Sequence, residues 1–223
     1  MRALTVLLVT FASLPARADS QPASPATATS FRSIELRGGG IATVRHGSVR
    51  RVTVLGENPG RPIRIDGGSL VIDRCSDRCP RGRHRIEVEI VTPELDRVAV
   101  TGGGRIALDG AFPRQEAIAA SVSSGGLVDI RRLEAARVAA AVDNGGRILA
   151  FPGEALAASV SDGGNVIYWG DPAVTSSIRR GGVVEKGHPA DLGRPLASLD
   201  GALVPPPLPA VVPPTPPRRP GKH

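Results

Sequence analysis

The stretch Val142-Asp143-Asn144-Gly145-Gly146-Arg147-Ile148 decides the fold, because its pattern returns along the chain. A β-branched residue stands three positions before the glycine pair, and another stands two positions after it. The same frame surrounds five pairs, which are Gly103-Gly104, Gly125-Gly126, Gly145-Gly146, Gly163-Gly164 and Gly181-Gly182. Successive pairs are 22, 20, 18 and 18 residues apart. A period near 20 residues of strand, turn and strand indicates stacked β repeats.

The glycine pairs are interpreted as structural turns of this stack. A tight turn between strands needs positive φ, which glycine accepts without a steric penalty. Residues 115–120 and 132–141 are rich in alanine and have helical propensity. Each, however, lies at the position in its repeat where the neighbouring repeats have a strand, so both are predicted as strands. The sequence therefore predicts an all-β fold, a β-solenoid or right-handed parallel β-helix-like stack with an N-terminal β region.

The domain prediction divides residues 31–187 into two parts. Residues 96–187 carry the regular Gly-Gly repeats, and residues 31–95 form an N-terminal β region. Alternating apolar residues such as those of 86–90 predict strands there, and we expect them to pair in a largely antiparallel way. An early, degenerate repeat surrounds Gly39-Gly40, with Leu36 and Ala42 in the framing positions.

Both ends of the chain carry processing or linker sequence. Residues 1–18 have a positive start, an apolar run and a small-x-small end, which predicts a signal peptide cleaved between Ala18 and Asp19. Residues 19–30 read as a disordered linker, and residues 188–223 as a Pro-rich disordered tail. No later segment is apolar enough to span a membrane. We therefore expect a bacterial protein that is periplasmic, secreted or held at the cell surface.

The chain has two cysteines, Cys75 and Cys79. In an oxidising compartment, a close pair predicts a disulfide that pins a loop between two strands. Together with His84 the same cysteines offer three metal ligands, but a tetrahedral site usually takes a second ligand pair downstream. The disulfide is the favoured interpretation, and no metal site is predicted.

Composition and motifs exclude several classes of function. The net charge is +7, but only 3% of residues are aromatic, so the stacking platforms of nucleic-acid binding are missing. The segment Asp143-Asn144-Gly145-Gly146 is similar to a calcium β-roll, yet it lacks the second glycine–aspartate step. No Gly-x-Ser-x-Gly motif is present. We predict no enzyme activity, no cofactor and no nucleic-acid partner.

Two sets of residues are candidates for a surface site. Tyr168 and Trp169 are the only Tyr and Trp, and they serve either as a hydrophobic cap on the last repeat or as a ligand platform. A row of arginines offers a basic edge or a solvated face. These arginines are Arg114, Arg131, Arg132, Arg137, Arg147, Arg179 and Arg180.

Read in order, these features resemble the putative auto-transporter adhesin head (GIN) domain family. The resemblance is carried by an opening Phe31-x-x-Ile34-x-Leu36-x-Gly38, by the strand motif of residues 88–95, and by the serial glycine pairs. It extends through Tyr168-Trp169-Gly170-Asp171-Pro172 and covers residues 31–187. Many relatives have Ser-Gly-Ser-Gly where this chain has Gly-Gly. The resemblance implies an exported all-β domain with an adhesive role and carries over no catalytic residues.

The predicted function is a non-enzymatic, extracytoplasmic β-repeat protein that serves as an adhesin-like or envelope surface-binding module. Its partner is a cell-envelope glycan or a protein, because rows of solvent-facing residues suit extended partners. One alternative is a polysaccharide-acting β-helix enzyme. That enzyme needs acidic residues aligned on successive repeats, and the aspartates 109, 129, 143 and 162 share no repeat position. A third interpretation is a structural envelope protein that docks partners through its Pro-rich tail.

Overall fold

Strands make up nearly all of the regular structure in the described part of this protein. A computed structural model describes residues 30–55, 62–74 and 86–196. In chain order the strands are β1 (Ser33–Arg37), β2 (Ile41–His46), β3 (Arg51–Leu55), β4 (Ile63–Asp66), β5 (Ser69–Ile72), β6 (Glu87–Thr92), β7 (Arg97–Thr101), β8 (Arg105–Asp109), β9 (Gln115–Ser123), β10 (Leu127–Asp143), β11 (Arg147–Ser161), β12 (Asn165–Tyr168), β13 (Ala173–Arg179) and β14 (Val183–Lys186). Within those ranges the helical structure is one 3₁₀ turn, Pro189–Asp191, and no helix could cross a membrane. The all-β prediction is confirmed, and the alanine-rich segments lie in β9 and β10.

The strands form one curled, mixed sheet that contains two long ladders. Ladder 1 runs β3-β6-β2-β8, then the first part of β10, the first part of β11, β12 and β14. Ladder 2 runs β4-β5-β1-β7-β9, then the second parts of β10 and β11, and β13. A unit is defined here as one strand of ladder 2 and the next strand in ladder 1. A glycine corner joins the two strands in every unit except that of β5 and β6, whose connection lies mostly outside the described residues. Neighbouring units pair in parallel from β1 and β2 onward.

The N-terminal region differs from the expected antiparallel arrangement. β1 and β2 pair in parallel on both sides, with β5 and β6 on one side and β7 and β8 on the other. The first unit of the chain is therefore inserted between the second and the third. Among the described strands, antiparallel pairing is confined to β3 with β6 and β4 with β5, at the end of the sheet. The strand pattern predicts alternation within each strand, but it carries no signal for this change of order.

The glycine pairs occupy the corners that join ladder 2 to ladder 1. In the corner between β10 and β11, Asn144, Gly145 and Gly146 have φ values of 55°, 80° and 104°. In three other corners the residue before the glycine pair also has a left-handed backbone conformation. These residues are Ser124, Asp162 and Arg180. Each corner stacks on the previous one through the backbone, as the Arg147 N–H donates to the Gly126 carbonyl oxygen at 3.0 Å.

Inward side chains of both ladders meet in one hydrophobic core. Buried Val128 and Ile148 of ladder 1 and buried Val138 and Val142 of ladder 2 belong to the same cluster. On the side opposite the corners, β10 and β11 pass from ladder 1 to ladder 2 without interruption, and the pairing between them shifts register at that bend. Small and β-branched side chains fill this narrow interior, as the low aromatic content predicts.

The two ends of the core are covered differently. At one end β3 pairs with β6 and β4 pairs with β5, both antiparallel. At the other end β13 and β14 each pair, among the described residues, with one strand only. The predicted signal peptide, the 19–30 linker up to residue 29, the cysteine loop and the tail beyond Leu196 lie outside the described residues.

Candidate binding surface

The outer side of ladder 2 is a flat surface of small side chains. Residues that point away from the core alternate with buried ones along β9, β10 and β11, and the register extends the same outward positions onto β13, whose residues are all exposed. We call this surface the small-residue face. Its members are Ala119, Ser121, Ala139, Ala141, Ala157, Ser159, Thr175 and Ser177.

The register of the strands arranges these side chains in two rows. One row runs Ala119, Ala139, Ala157 and Thr175 across the four strands. The second row runs Ser121, Ala141, Ser159 and Ser177. Neighbours in a row are about 4.8 Å apart, the spacing of hydrogen-bonded strands. The face is therefore a periodic surface on which no large side chain stands.

Charged and polar side chains border the small-residue face on both sides. On the bend side, Arg137 pairs with Glu116 at 2.6 Å, and Arg32 pairs with Asp96 at 2.7 Å. On the corner side, the Ser161 hydroxyl donates to Asp143 at 2.6 Å. An open groove of about 680 Å³ lies along the first border and continues onto the small-residue face.

The side chains of the small-residue face are methyl groups and hydroxyl-bearing groups. Hydroxyl groups of Ser121, Ser159, Thr175 and Ser177 offer donors and acceptors, and the alanines between them let a flat partner approach the sheet. The described histidines lie elsewhere, with His46 beside the Phe112 ring and His188 accepting from the Ala190 N–H. In residues 30–55, 62–74 and 86–196, no group of three His, Cys, Asp or Glu is placed to hold a metal ion.

The aspartates considered for catalysis differ in their surroundings, and three of them pair with three different arginines. Asp109 pairs with Arg45 and Asp162 with Arg180, both near the surface. Asp129 is buried against Arg131, and Asp143 lies on the corner-side border of the small-residue face. Asp143 and Asp162 lie in neighbouring corners, since Asp143 is the register partner of Ser161, whereas Asp109 and Asp129 lie in ladder 1.

The structure does not collect the candidate arginines in one basic edge. Arg114 bridges Glu134 and Glu154, and Arg137 and Arg180 each pair with an acidic residue. Arg132 donates to the Gly193 carbonyl oxygen. Arg147 begins β11 in ladder 1, whereas Arg179 ends β13 in ladder 2. Arg131 is buried, so the arginines serve several separate contacts.

Arg131 and Trp169 fasten the C-terminal segment onto the outer side of ladder 1. The Arg131 guanidinium lies 5.3 Å from the Trp169 ring centre and forms a buried ion pair with Asp129 at 2.7 Å. It also donates to the carbonyl oxygens of Asp191 and Arg194. We call residues 188–196 the strap, because this stretch crosses ladder 1 from β14 back to β10.

Trp169 is buried beneath the strap and is no exposed ligand platform. Its side chain is 2% exposed, and its indole N–H donates to the His188 carbonyl oxygen at 2.8 Å. Leu192 and Leu196 of the strap pack against the same small cluster. Tyr168, in contrast, is half-buried against the main core.

Other candidate residues fall outside the part of the chain that can be described. Cys75, Cys79 and His84 are among them, as are Ala18 and Asp19. The disulfide and the signal cleavage stay predictions. The small-residue face itself was not predicted, although its signal is present. The buried valines of β9 to β11 show which positions point inward. The residues that alternate with them, and so point outward, are alanine and serine.

Part of the chain matches a family profile, and several solved structures are similar to the chain. Residues 114–172 match the profile of the family described as putative auto-transporter adhesin, head GIN domain. A crystal structure of a putative adhesin from Bacteroides fragilis NCTC 9343 is 14% identical, with a TM-score of 0.40, and the match covers 73% of this chain and 95% of that one. No curated protein matches the chain.

Two structures from Parabacteroides distasonis ATCC 8503 are also similar. One is a putative adhesin with 15% identity and a TM-score of 0.39, covering 73% of this chain and 95% of that one. The other is a putative lipid binding protein with 14% identity and a TM-score of 0.31, covering 72% and 94%. The profile match runs from the bend before β9 to the bend after β12, and it confirms the resemblance of this chain to the putative auto-transporter adhesin head (GIN) domain family.

Proposed function

We propose that this protein is a non-enzymatic, adhesin-like module of the bacterial envelope that binds an extended polymer on its small-residue face. The observation that carries the proposal is the register of Ala, Ser and Thr across four parallel strands. The family match to a putative adhesin head domain supports a binding role. Export through the predicted signal peptide 1–18 brings the module to the periplasm or the cell surface.

The polymer we propose is an envelope glycan. Glycan hydroxyls pair with Ser and Thr hydroxyls and with the charged borders, where Arg137, Glu116 and Asp143 offer both donors and acceptors. A linear polymer meets the same side chains at every strand, so many weak contacts add along its length. A protein strand is the second partner class, and it is separated from the glycan by experiment.

We also propose the finer description of the fold as a right-handed β-solenoid. Each ladder advances by one repeat from strand to strand over β7 to β14, with a glycine corner between the two ladders. Parallel crossovers are right-handed in nearly all proteins. A solenoid of this kind repeats its outer surface at each turn, which is the property that the binding proposal needs.

Binding to isolated envelope polymers tests the function. The mature chain and the variants Ala139→Trp and Ala157→Trp are compared for retention on peptidoglycan and lipopolysaccharide preparations. Both residues are exposed on the small-residue face, so a large ring there should abolish retention without lowering the unfolding temperature. Ala111→Trp is the matched control, because Ala111 is exposed in the bend between β8 and β9.

Further arms separate the alternatives. Deletion of residues 197–223 leaves every described contact in place, and retention should survive it. Loss of retention on this deletion alone would favour docking through the Pro-rich tail. Release of reducing ends from either polymer would establish the enzyme alternative. Retention on envelope protein but on no glycan would show that the partner is a protein and not a glycan. Equal retention by all variants would show that the small-residue face is not the binding site.

A further inference from the structure

The last strand of ladder 2 leaves the core open at one end of the fold. All seven residues of β13 are exposed, and among the described strands β13 pairs with β11 only. Val174 and Ile178 are 41% and 48% exposed. Their register partners in β11, Leu156 and Val160, are buried in the core. Val174 and Ile178 therefore continue the inner side of ladder 2, with nothing beyond them in the described chain.

The backbone of β13 is also open on that side. The Arg179 carbonyl oxygen accepts from the Asp162 N–H at 3.1 Å, so the polar groups of Arg179 face β11. Because these groups alternate along a strand, those of Val174, Ser176 and Ile178 face away from β11. Exposed edges are usually protected by charge, proline or short length. β14 is short and carries Glu185 and Lys186, whereas residues 173–178 of β13 have no such protection.

The remaining C-terminal chain is a poor occupant for this edge. The strap leads away from it, since Arg131 of β10 holds Asp191 and Arg194. In ladder 1, β10 is three strands from β14, or about 14 Å. Residues 197–204 hold no proline and span at most about 26 Å. A return over about 14 Å would leave about 12 Å, which is too short to cover the seven residues of β13. The following segment begins Pro205-Pro206-Pro207, and proline cannot donate to a ladder.

We propose that a second copy of this chain occupies the edge, with β13 pairing antiparallel to β13 of the copy and Ser176 at the two-fold axis. In this register Val174 lies opposite Ile178 of the copy, so apolar inner residues meet and continue the core. Thr175 lies opposite Ser177 on the outer side. The open backbone groups of residues 174, 176 and 178 then face those of the copy. Residue 174 forms a hydrogen-bonded pair with 178 of the copy, and 176 with 176.

The self-complementary order of side chains selects this occupant. An isologous contact requires the same patch to match itself after a two-fold rotation. Reading β13 in either direction from Ser176 gives a small hydroxyl residue, then a β-branched apolar residue. The pairing also joins the small-residue faces of the two copies into one sheet surface of twice the length. A long polymer then meets both copies at once, which raises avidity.

Sedimentation equilibrium of the full mature chain tests the proposal over a concentration series. We expect the mass of two chains for the unmodified protein and of one chain for Ser176→Pro. Proline at 176 removes an N–H that points away from β11, so the fold should be kept. Ser176→Ala is the matched control and should remain dimeric. A monomer at every concentration, an open-ended series of larger species, or a dimeric Ser176→Pro would each overturn the proposal.

Amide hydrogen exchange gives a second readout with residue resolution. The amides of Val174, Ser176 and Ile178 should gain protection as the protein concentration rises, because only these face the copy. The amides of Thr175 and Ser177 face β11 and should be protected equally at every concentration. Concentration-dependent protection of β3 or β4 instead would show a head-to-tail contact and reject the two-fold pairing.

Discussion

Gly164 lies directly against the side chain of Val142 in the preceding unit. A Cβ atom on Gly164 would stand 2.5 Å from Val142 Cγ1 and 3.0 Å from the Gly146 carbonyl oxygen. Its neighbour Gly163 has φ of +84° but no atom within 4 Å of the place that a Cβ would take. The two glycines of a corner thus have separate roles. The first supplies a left-handed backbone, and the second also provides space for the unit beneath it.

Substitution by alanine should separate these roles. We expect Gly163→Ala to lower the free energy of unfolding by about 1 kcal/mol, the cost of a left-handed alanine. Gly164→Ala carries a similar backbone cost and in addition displaces Val142 and a backbone oxygen, so we expect a loss of about 3 kcal/mol. Denaturant unfolding monitored by circular dichroism measures both. Equal losses for the two variants would contradict the proposed division of roles.

A double-mutant cycle identifies Val142 as the source of the extra cost. Val142→Ala alone should lower stability through the cavity that it leaves in the core. Combined with Gly164→Ala, it should cost less than the sum of the single losses, because the added methyl group then finds room. Combined with Gly163→Ala, it should be additive. Additivity in both combinations would place the strain elsewhere in the corner.

The corners show which part of the fold the sequence can predict. The Gly-Gly frame predicts both the turns and the inward phase of Val142 and Ile148, because local backbone geometry and burial impose that pattern. The insertion of β1 and β2 between later units leaves no local pattern, since it depends on which open strand edge pairs with which. That order is set by contacts far apart in sequence.

The buried pair of Asp129 and Arg131 should be more important for stability than the exposed ion pairs. The two side chains are 7% and 4% exposed, and Arg131 also holds the strap. Asp129→Asn removes the charge that balances a buried guanidinium, so we expect a loss of about 3 kcal/mol in unfolding free energy. Trp169 is the only tryptophan, and its fluorescence should shift to the red as the strap loosens.

Asp171→Asn is the matched control for this substitution. Asp171 pairs with Lys186, but its side chain is 92% exposed. Exposed ion pairs contribute little, so we expect a change below about 1 kcal/mol and unaltered Trp169 fluorescence. Similar losses for the two variants would mean that the Asp129–Arg131 pair is not what holds the strap.

The candidate site was less predictable than the fold, for a related reason. Trp169 stands out in the sequence as a rare aromatic residue, but its burial depends on the strap, which folds back over ladder 1. The arginine row looks like one edge in the sequence, whereas acidic partners from neighbouring strands separate it. The small-residue face is the reverse case, because its alanines and serines are noticed only when the inward-facing positions of the strands are known and the strands are aligned.

The predicted disulfide between Cys75 and Cys79 is testable by alkylation. Iodoacetamide should label neither cysteine in the unfolded, unreduced mature protein, and both after reduction. The closed loop is short, so the variant in which both cysteines are replaced by serine should lose only about 2 kcal/mol of stability. Labelling of both cysteines without reductant would show free thiols and reject the bridge.

Asp73 should make the stability of the protein depend on pH. The hydrogen bond from Arg64, aided by the charge of Arg37, lowers the pKa of the Asp73 carboxyl from its ordinary value, against the effect of burial. A carboxyl with a depressed pKa in the folded state contributes stability above its unfolded pKa of about 4, and loses it as the pH falls through the folded value. Asp73→Asn should therefore be less stable than the unmodified protein near neutral pH.

That difference should shrink as the pH falls below about 4, where protonation of Asp73 removes the same charge. Because Arg64 is partly exposed, we expect a difference below about 1 kcal/mol at neutral pH. Urea unfolding of both proteins across this pH range measures it. In an Arg64→Met background, Asp73→Asn should have less effect at neutral pH, because the main partner of the carboxylate is already gone. A difference that is constant with pH would show that the Asp73 charge does not contribute to stability.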